Sequence, residues 1–184
     1  MTHSSSPKNF VFDHAVNIGD ELIITVWAAG LDQFQETPAF CYVIERQEAD
    51  GTRKRLGWSA ARGIGYDGHH QGALVKAIVE AVYQVPHAVA VRFETTNEAF
   101  LVRSINEHRH SWRAQGWKKS DGKRPDCVAE WMVLHARETE FDITIRKAVR
   151  IESSSALTFA QGEVERVRNE MRSERERFAI DKEY

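Results

Sequence analysis

The sequence predicts an α/β domain built on a mixed five-stranded sheet, three antiparallel strands followed by parallel ones, with helices flanking it. Three observations carry that prediction. A β-branched apolar run, Glu21-Leu22-Ile23-Ile24-Thr25-Val26-Trp27-Ala28, has the composition of a buried central strand. An Asp50-Gly51 turn joins two further strand-like runs, which is the signature of a hairpin. Beyond them, apolar residues at helical spacing give way within a few positions to an alternating run, the pattern of a crossover that returns a parallel strand to the sheet.

Each element follows from its own residues. Residues 1 to about 20 are polar and mixed, an extension that adds a strand or stays loose. The first strand ends at Ala29-Gly30, and a polar turn with Asp32, Glu36 and Pro38 leads to a second strand over Ala39 to Glu45. Arg53 to Ser59 completes the meander. After the loop Gly63-Ile64-Gly65-Tyr66-Asp67-Gly68, residues Leu74, Ile78, Val79 and Val82 share one helical face until Pro86 ends the pattern. Val89 to Thr95 alternates as a fourth strand, expected beside the first. Phe100, Leu101, Ile105 and His108 predict a second helix, and Val128 to His135 a third. Phe141-Asp142-Ile143-Thr144-Ile145 alternates as a fifth strand, Ser153-Ser154-Ser155 reads as a loop, and Glu163 to Arg177 predicts a solvated helix laced with i,i+4 ion pairs.

Composition narrows the function classes. A chain of 184 residues, 42% hydrophobic, fills one core and suggests a single module. Its net charge of -2 gives no global positive field, so any contact with nucleic acid must come from a local patch. Cys41 and Cys127 have no metal spacing and make no disulfide framework, which fits a reducing compartment and a cytoplasmic protein. The polar N-terminus lacks an apolar signal core, and no apolar run approaches membrane-spanning length, so no membrane partner is expected.

One stretch stands out chemically. Trp112-Arg113-Ala114-Gln115-Gly116-Trp117-Lys118-Lys119-Ser120-Asp121-Gly122-Lys123-Arg124-Pro125 sets two tryptophans around a glycine and then enters a cationic, turn-rich loop between two predicted helices. Indole faces stack on bases or pack against sugars, and Lys118, Lys119, Lys123 and Arg124 have the charge to meet phosphates. The competing interpretation is a helix end whose tryptophans belong to the core and whose lysines form a solvated turn.

The order of elements, with this loop in its place, resembles the type 1 ribonuclease H family over roughly residues 21–170. Gly72 to Val82 looks like the family's first helix, Phe93 to Ile105 like its fourth strand and following helix, and Trp112 to Pro125 like the basic handle with which bacterial members hold an RNA–DNA hybrid. On that resemblance residues 1–20 are an N-terminal extension, 21–170 the domain and 171–184 a charged helical tail. Family enzymes cut RNA in the hybrid with two Mg²⁺ ions held by four acids. The corresponding slots here hold Ala28, Ala73, Asn97 and Glu165, and two alanines and an amide cannot supply the anionic oxygens that two such ions require.

Replacement acids fit poorly or sit in loops. Glu80 lies seven residues past Ala73, about 10.5 Å along a helix, and Glu94 differs from Asn97 by an odd number and so faces the other side of a strand. Glu98, Asp32 and Glu36 remain as candidates for a relocated site. His69 and His70 precede a helix as polar loop residues, while His108 and His110 approach the handle and are read as exposed. No Cys-His or Ser-His-Asp arrangement is supported by spacing.

The resemblance therefore implies a catalytically inactive ribonuclease H-like pseudoenzyme with no catalytic, metal or cofactor residues of its own. On that reading it is expected to bind nucleic acid, RNA–DNA hybrid or duplex, through Trp112, Trp117, Lys118, Lys119, Lys123 and Arg124. Two alternatives stand beside it: a Mg²⁺-dependent ribonuclease using relocated carboxylates, and a protein–protein module, either a homodimer or a complex subunit.

Overall fold

The computed structural model describes residues 9–10, 16–17, 19–29, 38–63, 70–96 and 99–180. Strands β1 (Asn9–Phe10), β2 (Glu21–Ala29), β3 (Ala39–Gln47), β4 (Arg53–Arg62), β5 (Ala90–Thr95) and β6 (Thr144–Arg150) form one sheet in the order β1-β4-β3-β2-β5-β6. The three meander strands are antiparallel, and β5 lies parallel to β2, with Ile24 opposite Phe93, as the short crossover predicts. β6 extends the parallel side. The N-terminal extension does add a strand: the two residues of β1 pair with Trp58 and Gly57 at the edge of β4, giving a sixth strand beside the five predicted.

The hairpin between β3 and β4 closes as its residues require. Gly51 takes φ +85°, a conformation that favours glycine, while Asp50 accepts hydrogen bonds from the Thr52 N–H at 2.9 Å and the Thr52 hydroxyl at 2.6 Å. Alternation along β2 then sorts its side chains between two cores. Leu22, Ile24, Val26 and Ala28 pack with Phe40, Tyr42 and Ile44 under α1 (His70–Gln84) and α4 (Val128–Glu140).

The opposite face carries Ala39, Cys41, Val43 and Ala60 and is covered by α5 (Ser155–Ile180). That last helix begins earlier than its charged run suggests, capped by the Ser154 hydroxyl, which accepts from the Leu157 N–H at 3.0 Å. It is not solvated all round. Val164, Val167 and Met171 recur at helical spacing and are buried on the sheet, each worth about 1.5–3 kcal/mol of apolar burial. The outer face holds the expected ion pairs, Arg166 with Glu163 and Glu170 among them. Residue 170 lies inside this unbroken helix.

The fifth predicted strand is displaced. Phe141 and Asp142 form the turn that ends α4, with Asp142 at φ +53°, and the strand runs from Thr144 to Arg150. A register shift between Val91 and Arg92 sets Ile145 opposite Val91 but Lys147 opposite Arg92, so Arg146 is extra and the alternation that continues to Ala148 is interrupted. The second predicted helix is composite: α2 (Ala99–Arg103), a π-helical turn (Ser104–His108) and α3 (Arg109–Ala114). The wide turn adds a residue to the helical path and rotates the next helical segment by about 100°. Arg109 and Trp112 are thereby turned inward. Among the described residues, no helix is long and apolar enough to cross a membrane.

Candidate nucleic-acid interface

The ribonuclease H resemblance assigns metal-binding acids to four positions. Of these, Ala28 on β2 is 8% exposed and Ala73 on α1 is fully buried, and both belong to the same apolar core. A Cβ at Gly63 would press on the Pro38 carbonyl at 3.0 Å and touch the Ala73 methyl at 3.4 Å, so the wall here is closely packed. Glu165 stands on the exposed side of α5, with Arg172 at 3.3 Å and Arg168 at 3.6 Å. Two buried methyl groups and an exposed, paired carboxylate do not fit a divalent cation. Asn97, Glu98, Asp32 and Glu36, with His69 and the side chain of His70, lie outside the described residues. Among those described, no group of three or more His, Cys, Asp or Glu side chains comes together to hold a metal.

The other acids weighed in the sequence are engaged elsewhere. Glu80 lies 3.7 Å from Lys76. Glu94 is 2% exposed and accepts from Arg53 at 2.7 and 2.9 Å and from Arg92 at 3.2 Å. Its neighbour Phe93 points into the α1 core, so Glu94 faces the other side of the sheet.

The basic loop is a built structure. Helix α3 ends in left-handed residues, Gly116 at φ +65° and Trp117 at φ +61°, and the Trp117 N–H donates back to the Trp112 carbonyl at 2.6 Å. A second turn is closed by the Lys119 N–H to the Lys123 carbonyl at 2.8 Å and the Gly122 N–H to the Lys119 carbonyl at 3.0 Å. At the far end the Trp131 indole N–H donates to the Asp126 carbonyl at 3.1 Å, which fixes the loop to α4. Lys118, Lys123 and Arg124 are exposed on it and, among the described residues, have no ion-pair partner. Lys119 is half-buried and lies 3.2 Å from Asp126.

The two tryptophans part company. Trp112 is 8% exposed, its ring edge-on to Trp131 at 5.9 Å and beside His108 at 5.6 Å. It is a core residue that roots the loop, and its ring is not on the surface where a base could stack. Trp117 is half-buried, with its ring 6.1 Å from that of His135. Cys127, read in the sequence as a small core residue, packs partly buried against the core and precedes α4 at φ +55°.

Several residues beside the loop were not singled out in the sequence. Arg109 and Arg113, four apart on α3, meet His135 and Glu138, three apart on α4, around a cleft of about 150 Å³ that His110 and Trp117 also line. Their helical spacings were the available signal, but nothing in the chain order says that these two faces oppose each other. Arg109 is 7% exposed and reaches three elements, donating to the Ile105 carbonyl at 2.7 Å, to Glu138 and to the Ile145 carbonyl at 3.4 Å. His110 is exposed, but the partial loss of water around its ring and the adjoining Arg109 hold it below its ordinary pKa.

Three antiparallel strands, a crossover helix, parallel strands and a final helix on the far face make this the ribonuclease H fold. Among solved structures with it, LC9-RNase H1, a type 1 RNase H with the type 2 active-site motif, matches with a TM-score of 0.56 at 15% identity over 78% of this chain and 70% of that one. LC11-RNase H1, solved in complex with RNA/DNA hybrid, matches at 0.50 and 17% identity over 82% of this chain and 98% of that one. The foamy viral protease-reverse transcriptase in complex with RNA/DNA hybrid matches at 0.55 and 16% identity, over 89% of this chain but 22% of that larger one. At these identities the likeness is one of fold. No protein-family model matches the sequence, and no curated protein does.

Proposed function

We propose that this chain binds nucleic acid, RNA–DNA hybrid or duplex, through the loop between α3 and α4, and does not cut it. The observation that carries the reading is the set of cations Lys118, Lys123 and Arg124, without ion-pair partners among the described residues, on a loop anchored at both ends by Trp112 and Trp131. Free cations on a fixed frame meet phosphates with less ordering cost than cations on a loose segment. Lys119 joins them by exchanging Asp126 for a phosphate, since an exposed ion pair is worth only about 0–1 kcal/mol. Trp117 supplies an aromatic surface beside them. Two of the solved structures with this fold hold an RNA/DNA hybrid, which supports the choice of ligand. Buried alanines at two of the slots that the family fills with acids support binding without cleavage.

The test is a titration of labelled hybrid, duplex RNA, duplex DNA and single strands, with and without Mg²⁺. Binding that favours hybrid or duplex, and that Mg²⁺ does not change into cleavage, is the expected result. Absence of binding to every probe at low salt contradicts the proposal.

A further inference from the structure

The cleft between α3 and α4 is separate from the loop's exposed cations and has its own chemistry. Two helices contribute its charged groups: Arg109, His110 and Arg113 from α3, and His135 and Glu138 from α4. Glu138 is occupied by Arg109, whereas Arg113 has no ion-pair partner among the described residues. With both histidines neutral these five groups carry one net positive charge, and with both protonated they carry three. At about 150 Å³ the cleft has room for a tetrahedral oxyanion.

We infer that this cleft is a phosphate site, with Arg113, His110 and His135 as donors and the Arg109–Glu138 pair as the floor that sets the two helices apart. Arg113 gives a planar guanidinium suited to two phosphate oxygens, and each protonated imidazole adds a donor. The phosphate comes either from a polynucleotide held on the neighbouring loop or from free inorganic phosphate. The site does not depend on the loop's own binding, because none of the loop's lysines lines it. Arg109 and Arg113 on one helix and His135 on the other press a positive potential on His110, opposed among the described residues by Glu138. A bound phosphate opposes that potential. It therefore raises the pKa of His110, and for a phosphodiester, whose charge is constant there, affinity falls as pH rises through the imidazole range.

The experiment follows the imidazole signals of the full chain by NMR, below neutral pH and at constant ionic strength. Inorganic phosphate is titrated in, and a short duplex is then compared with and without a terminal phosphate. Saturable shifts of His110 and His135 with an upward move in the His110 pKa are expected. Arg113→Ala should weaken them about tenfold or more, the size of one hydrogen bond to a charged group. Arg113→Lys should restore part of the loss. The combined Lys118→Ala, Lys123→Ala and Arg124→Ala chain should titrate with inorganic phosphate as the parent does, which separates this site from the loop. Saturation by inorganic phosphate alone identifies the free ion as the ligand, and saturation by the duplex alone identifies the polynucleotide. Shifts with neither, or shifts unchanged by Arg113→Ala, overturn the proposal.

Discussion

The ring of Trp112 meets that of Trp131 edge-on, with centroids 5.9 Å apart and planes at 60°, and this contact joins the two helices that carry the basic loop. Both indoles are buried, at 8% and 1% exposure, so each change here is a core change. Trp112→Ala should cost about 3–5 kcal/mol of stability, the usual range for an aromatic deleted from a core. Trp117, half-buried and outside that contact, should cost less when changed in the same way. Denaturant unfolding of the two variants measures the difference, and equal losses would contradict the separate roles given to the two rings.

A second expectation concerns pH. Burial pushes the Glu45 carboxyl above its ordinary value of 4.5, against the pull of Arg53 and Arg55. The folded chain then binds more protons than the unfolded one between the two pKa values, so stability falls as pH rises through that window. Glu45→Gln removes this dependence while leaving Arg53 its closer partner, Glu94 at 2.7 Å. The parent should thus lose stability relative to the variant as pH is raised from below 4.5 towards neutrality. Urea unfolding at a series of pH values checks the sign, and a parent that gains on the variant would show it to be wrong.

Cleavage is the third. Purified protein should not turn over an RNA–DNA hybrid in Mg²⁺ or Mn²⁺, because buried methyl groups at Ala28 and Ala73 offer no metal ligand. Turnover that disappears when Asp32, Glu36 or Glu98 is replaced by its amide would show that the acids have moved, and that the chain is an enzyme.

Much of this was legible in the chain itself. The β-branched run of β2, the Asp50-Gly51 turn and the helical spacing of Leu74, Ile78 and Val82 are local signals, and each element formed where its residues pointed. The place of the basic loop between two helices was equally local. The features that stayed hidden depend on contacts between distant residues. The π-helical turn before Arg109 decides which way Trp112 faces, and its partner Trp131 lies on another helix. The extra residue at Arg146 interrupts the alternation on which the last strand was placed. The second core under α5 was masked because Val164, Val167 and Met171 are sparse among charges, although their spacing is helical. The α3–α4 cleft brings together residues more than twenty positions apart, which no spacing rule connects.

The central claim is that the loop's cations meet phosphates, and the salt dependence of binding tests it most directly. Hybrid affinity should be measured across a salt series for the parent and for a chain with Lys118, Lys119, Lys123 and Arg124 all changed to Ala. For the parent, log affinity should fall linearly with log salt, and the slope of the variant should be shallower by about 0.9 for each phosphate of a B-form-like duplex that it no longer neutralises. Stability should hardly change, because three of the four side chains are exposed and have no ion-pair partner among the described residues, and the fourth is in an exposed pair. A variant that binds as tightly as the parent, with the same slope, would contradict the account and leave the loop a solvated turn.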